Sequence, residues 1–133
     1  MNTTNFINRI MGNLFKTQTS PALPTSFYLG FSTTAPTAAG GNVKEPSGNG
    51  YSRKQLSTSV LSTPSNGVVN NKTDISFSES TASWGTLTHY VVYDAETNGN
   101  LLFYGALSSS ITVDAQSTIT IPAGNLVITL SDS

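Results

Sequence analysis

WGTLTHYVVYDAETNGNLLFYGAL, residues 84–107, reads as two β-strands and the turn between them. From Leu87 to Tyr93 one face carries Leu87, His89, Val91 and Tyr93, and the other Thr88, Tyr90 and Val92. β-Branched and aromatic side chains suit a pleated, half-buried surface. From Leu101 to Leu107 the second run sets Leu101, Phe103, Gly105 and Leu107 against Leu102, Tyr104 and Ala106. Both of its faces are apolar, which predicts a central strand covered on both sides. Between the runs, Asn98-Gly99 is a hairpin signal, because both residues tolerate the positive φ of a tight turn. Asp94, at the end of the first run, is placed to bond turn amides. Trp84, His89, Tyr93 and Phe103 are expected in the core of this hairpin.

The remaining chain extends the same pattern. Ser26 to Thr34 is a strand with Phe27, Leu29 and Phe31 on one face, and Tyr51 to Val60 is a second. Val68-Val69 and Ile75-Ser76-Phe77 are short strands on either side of Asn70-Asn71-Lys72. Ile111 to Asp114, Thr118 to Ile121 and Leu126 to Leu130 follow, with turns at Ala115-Gln116 and Ala123-Gly124-Asn125. About eight short strands at close spacing predict a mainly β fold, an antiparallel sandwich or barrel. Residues 35–50, APTAAGGNVKEPSGNG, form a long loop of a kind that is either functional or a mobile excursion.

Residues 4–16, TNFINRIMGNLFK, carry the one helical pattern. Phe6, Ile10 and Leu14 lie four apart, and Ile7, Met11 and Phe15 form the neighbouring row. Asn5, Asn8, Arg9 and Asn13 fill the polar face. Thr3 or Thr4 can cap the start, and Lys16 suits the end. The stripe demands cover, either by the chain's own sheet or by neighbouring copies or another protein. Residues 1–24 are thus read as a helix and linker, the Pro-containing stretch 17–25 joining it to a single β domain over 25–133.

Composition narrows the function. Of 133 residues only 10% are charged, against about 25% in ordinary globular chains, while Ser and Thr number 19 each and Asn 12. Charge keeps free proteins apart, so much of this surface is expected to face other subunits. The net charge is −1 and Arg53-Lys54 is the only adjacent basic pair, which offers nucleic acid no footprint. Cysteine is absent, so neither disulfides nor thiolate chemistry arises. No apolar run nears the 18 or so residues of a membrane span, and the start lacks the pattern of a secretory signal. Without such a signal, Asn2-Thr3-Thr4 and Asn71-Lys72-Thr73 are chance matches to a glycosylation acceptor.

Chemistry is thin. The single histidine, His89, sits mid-strand, and Asp94 lies beyond that strand's end, so a ring packed between Leu87 and Val91 and bonded to a backbone or hydroxyl group is expected. Asp94 and Glu96 could suggest a carboxylate pair or a calcium site, but two acids in one turn fall short of six to eight oxygens. Trp84 and the tyrosines at 28, 51, 90, 93 and 104 could form a sugar platform, or a core. No cofactor or metal is expected, and no catalytic group.

Several segments together resemble the small tail-fibre-type structural proteins of tailed bacteriophages, over nearly the whole chain. They are the opening helix NFINRIMGNLF, the strand and loop FYLGFSTTAPTAAG, and Gly50-Tyr51-Ser52-Arg53. Ile75-Ser76-Phe77 and the hairpin from Trp84 follow, with Tyr93-Asp94-Ala95 and Leu102-Phe103-Tyr104-Gly105-Ala106-Leu107, and the close Ile121-Pro122-Ala123-Gly124-Asn125-Leu126. Asn100 stands where Gly-Gly is common in such chains, and Gln116 where a turn glycine is common. The resemblance implies a non-enzymatic component of the virion, partnered by other virion proteins and by copies of itself. It would belong to the tail, fibre, baseplate or neck. A capsid-decorating protein and a module binding a host surface glycan are the alternatives.

Overall fold

The computed structural model describes residues 2–17 and 23–129. Along them run α1 (Thr4–Phe15), β1 (Tyr28–Ser32), β2 (Lys54–Gln55), β3 (Val68–Asn70), β4 (Ile75–Ser76), β5 (Gly85–Tyr93), β6 (Leu101–Val113), β7 (Thr120–Ile121) and β8 (Val127–Thr129). Most of the expected linker, residues 18–22, and Leu130 of the last expected strand lie outside the described residues.

The hairpin expected from residues 84–107 is the centre of the fold. β5 pairs antiparallel with β6 on one side and with β1 on the other, in a sheet of order β2-β1-β5-β6. Asn98 and Gly99 take φ of 56° and 78°, as the turn requires. The second run is therefore not the central strand: β5 is flanked on both sides and β6 is outermost. Its faces are apolar because they serve two cores, Phe103 and Leu107 packing against one and Leu101 and Tyr104 lying in the other. The chain before α1 lies along its edge, with Asn2 bridged to Phe103 and the Thr3 amide donating to the Leu102 carbonyl at 2.9 Å.

Two irregularities break the simple alternation read from the sequence. Leu87 pairs with Ile111 and His89 with Ala106, so β6 advances five residues while β5 advances two. The surplus falls within Ser108–Ser110, and Ile111 to Val113 continue β6 instead of starting a new strand. Beyond it, Val92 pairs with Phe103 but Tyr93 with Leu101, leaving Leu102 as an extra residue. Each offset switches the side-chain parity. Leu87 shares one core with Val92, while Val91 and Tyr93 belong to a second with Leu101 and Tyr104.

The remaining strands build the opposite layer. β3 pairs with β8 and β4 with β7, all antiparallel. β3 and β4 therefore pair with the C-terminal strands and not with each other. Leu29, Phe31, Leu87 and Val92 from the sheet meet Ile75, Phe77, Ile119, Leu126 and Ile128 from this layer, with Phe31 and Phe77 rings 4.9 Å apart. Each such side chain taken out of water contributes roughly 1.5–3 kcal/mol. Asn71 clamps the layer. It is fully buried, its Nδ2 donates to the Thr73 and Pro122 carbonyls at 2.9 and 3.0 Å, and its Oδ1 accepts from the Leu126 amide at 2.9 Å. The expected strand over 51–60 shrinks to Lys54–Gln55, because the chain turns where the Val60 amide donates to the Ser57 carbonyl.

Candidate functional site

α1 begins where Thr3 Oγ1 accepts from the Phe6 amide, and stops where Lys16 adopts φ 62° and returns its amide to the Gly12 carbonyl. Its buried face is Phe6, Arg9 and Gly12. Phe6 meets Phe103 edge-on at 5.1 Å. Arg9 departs from the sequence reading, which put it on the polar face. It is buried, and its Nη1 donates to Asp94 Oδ2 at 3.1 Å, across 85 residues of chain. The apolar stripe is divided as a result. Phe6 is inside and Ile7 and Ile10 are half-buried, while Met11, Leu14 and Phe15 are 49%, 65% and 62% exposed.

Asp94 serves two ends at once. Its Oδ1 accepts from the Asn100 amide at 2.7 Å, closing the turn, as its place in the sequence suggested. Burial pushes its carboxyl pKa up, but the Asn100 amide and side chain and the Arg9 guanidinium outweigh this and hold it below the ordinary aspartate value.

The same turn borders an open polar cleft of about 510 Å³, with loop residues 45–48 on the other side. Arg53 organises it. Its Nη1 donates to the Ala95 and Asn98 carbonyls at 2.9 and 2.7 Å. Its Nε and Nη2 grip Glu45 Oε2 and Oε1 at 3.0 and 2.6 Å, a two-pronged pair, and its head lies 3.6 Å over the Tyr93 ring. Tyr51 Oη donates to Glu45 Oε2 at 2.7 Å and accepts from the Phe31 amide at 3.0 Å. Burial first, then Glu45, pushes the Tyr51 hydroxyl far above the usual tyrosine range.

Gly30 makes room for this cluster, since a Cβ there would stand 2.5 Å from Tyr51 Oη and 2.8 Å from Glu45 Oε2. Trp84 supports it from below, with its ring edge-on to Tyr51 at 5.2 Å and its Nε1 donating to the Asn49 carbonyl at 2.9 Å. Loop 35–50 is thereby fastened, and its Val43 covers the second core. The sequence places Arg9 on a polar face and Arg53 in the Gly50-Tyr51-Ser52-Arg53 resemblance, and assigns a partner to neither. The available signal was scarcity: in a chain with 13 charged residues, each is a candidate for a specific partner.

The other candidate groups are used internally. His89 is half-buried and belongs to neither core, unlike the core position expected of it; its Nδ1 lies 2.8 Å from Thr88 Oγ1. Trp84, Tyr93 and Tyr104 are buried; Trp84 belongs to the first core, with Tyr51 and Tyr90 packed against that core, and Tyr93 and Tyr104 belong to the second, while Tyr28 is half-buried and in neither. Among the described residues no three His, Cys, Asp or Glu side chains gather to hold a metal, and no helix is long and apolar enough to cross a membrane.

Residues 2–129 match a family model described as Podophage GP4 fiber I protein gp80. Comparison with curated proteins gave no match.

Proposed function

The chain belongs to the family of podophage GP4 fiber I protein gp80, a fibre family of the phage particle, and on that premise we propose that it is a non-enzymatic structural element that assembles through its N-terminal helix. Residues 1–24 act as an assembly arm and residues 25–133 as the β domain that carries it. The observation behind this reading is the outer side of α1. Met11, Leu14 and Phe15 stand in water at adjacent positions on a helix whose other side is locked to the hairpin. At about half to two-thirds exposure, leaving them uncovered forgoes roughly 1–2 kcal/mol for each side chain, which a neighbour would recover. The scarcity of charge over the rest of the chain points the same way.

The reading is tested on purified particles. Mass spectrometry should find the chain in a fixed ratio to other virion proteins, and immunogold should label the tail. A chain carrying Leu14→Ser and Phe15→Ser should fold yet fail to enter particles. Entry at the normal copy number would overturn the role of the helix. Label spread over the capsid would favour decoration instead.

A further inference from the structure

The turn 94–100 is held from two sides by arginines whose side chains are only 7% and 8% exposed. On one side Asp94 accepts from Arg9 of α1 at 3.1 Å. On the other, Arg53 donates to the Ala95 and Asn98 carbonyls and joins the turn to Glu45 of loop 35–50. The loop in turn reaches the helix, since its Ala38 carbonyl accepts from the Thr4 amide at 2.9 Å. Helix, turn and loop thus form a closed triangle of contacts. Away from these ties the turn stands clear of both cores. Residues 96–100 are all exposed, and Gly99 lines both the cleft of about 510 Å³ and a recess of about 220 Å³ beside Thr3 and Asn5.

We propose that this triangle is a latch: α1 stays docked only while Arg53 holds the turn to loop 35–50, and displacing the turn or the loop releases the helix. The reason is the cost of stranding a charge. Asp94 is set in place by the turn, through bonds from the Asn100 amide and side chain at 2.7 and 3.2 Å. If the turn moves, the carboxylate moves with it, and Arg9 would lose its acid in a site almost free of water, a strongly unfavourable state. Arg9 regains water only if α1 leaves. The same holds for Arg53, which lies over Tyr93 and is shared between loop and turn. Both arginines therefore disfavour half-open states, which makes the three segments one opening unit. The undocked arm would present Phe6 as well as Phe15, and would uncover Phe103 and the edge of β6 at Leu101 and Leu102. A contact at the exposed turn, or in the cleft beside it, thus governs a helix it does not touch, by favouring one of the two states. The latch goes beyond the assembly role of the helix and stands whether or not the arm enters particles.

The test is amide hydrogen exchange on the full-length chain, read by NMR over a urea series. Three amides report: Ile7 in α1, which donates to the Thr3 carbonyl, Asn100 in the turn, which donates to Asp94, and Lys44 in the loop, which donates to Ser32 Oγ. In the unaltered chain they should open together, with one free energy and one urea dependence. Both should lie below those of Phe77, whose amide donates to the Ile119 carbonyl in the opposite layer. Arg53→Lys keeps the charge and loses the two-pronged grip. It should speed exchange at all three amides by roughly tenfold or more, the effect of losing a charge-assisted bond, while Phe77 keeps its parent rate. Arg9→Gln, at the opposite corner of the triangle, should quicken Lys44 in the same way. The latch is overturned if Ile7 opens with its own urea dependence, or if Arg53→Lys leaves Ile7 at its parent rate. It is equally overturned if Arg53→Lys quickens Phe77 as much as Ile7, the sign of the whole fold opening.

Discussion

Replacing Arg53 by methionine keeps most of its alkyl stem and removes everything the guanidinium does. The side chain is 8% exposed and its partner Glu45 18% exposed, so this is a pair largely withdrawn from water. Removing one member of such a pair costs about 3–5 kcal/mol, because the other charge stays behind. Glu45 keeps its bond from Tyr51 and some contact with solvent, which places this part at the low end. The Ala95 and Asn98 carbonyls lose a donor each, at about 0.5–1 kcal/mol apiece, since water reaches Asn98. The expected loss is about 4 kcal/mol. With a urea m-value of about 1.5 kcal/mol per molar, the unfolding midpoint falls by roughly 2–3 M. Adding Glu45→Gln to Arg53→Met should recover about 1–2 kcal/mol by removing the stranded charge. A single variant whose midpoint stays within about 0.5 M of the parent, or a double variant weaker than the single, would refute the reasoning.

Asp94 holds its proton less tightly when folded than an ordinary aspartate, so its contribution is full above the unfolded value near pH 4 and disappears as the pH falls through the folded one. Asp94→Asn should therefore be less stable at pH 7 and flatter in calorimetry between pH 5 and 2; parallel curves would exclude the linkage. Gln116, at φ 58°, occupies a left-handed conformation that favours glycine, so Gln116→Gly should raise stability by about 1 kcal/mol in urea titrations, and a decrease would contradict this. Gly30→Ala should cost about 1–3 kcal/mol by driving a methyl into the cluster of Tyr51 and Glu45, with unchanged stability as the opposing result.

These positions also mark how far the sequence could be read. The hairpin was legible because its signals are local: alternation along β5, Asn98-Gly99 at the turn, and Asp94 beside it. The helix was legible for the same reason. The side-chain parity was not, because Leu102 and the serines at 108–110 carry no mark that distinguishes a surplus residue from a paired one. Arg9 looked like a solvated charge, since its acid lies 85 residues away. Asn71 looked like a turn residue and proved to be a buried clamp on a segment some 50 residues later. Tyr51 and Arg53 were read as positions in a strand over 51–60, while their polar ends converge on a glutamate of the preceding loop. Periodicity reports which way a side chain faces, and says nothing of a partner supplied by distant chain.

The way α1 is held has a consequence for synthesis. The Thr4 amide donates to the Ala38 carbonyl in the nearer loop, but the attachments of its inner side, Thr3 to Leu101, Phe6 to Phe103 and Arg9 to Asp94, are to a hairpin that is translated long after the helix. Closing so long a loop is entropically unfavourable until the hairpin itself exists. At about 5–20 residues per second, the nascent helix waits several seconds before its inner side has anything to pack against. During that wait both sides of the helix are open, and Phe6 is as available to a passing apolar surface as Phe15. Completion of the hairpin withdraws one side and orients the other, so an exposed apolar edge of defined direction exists only on a chain that has finished folding.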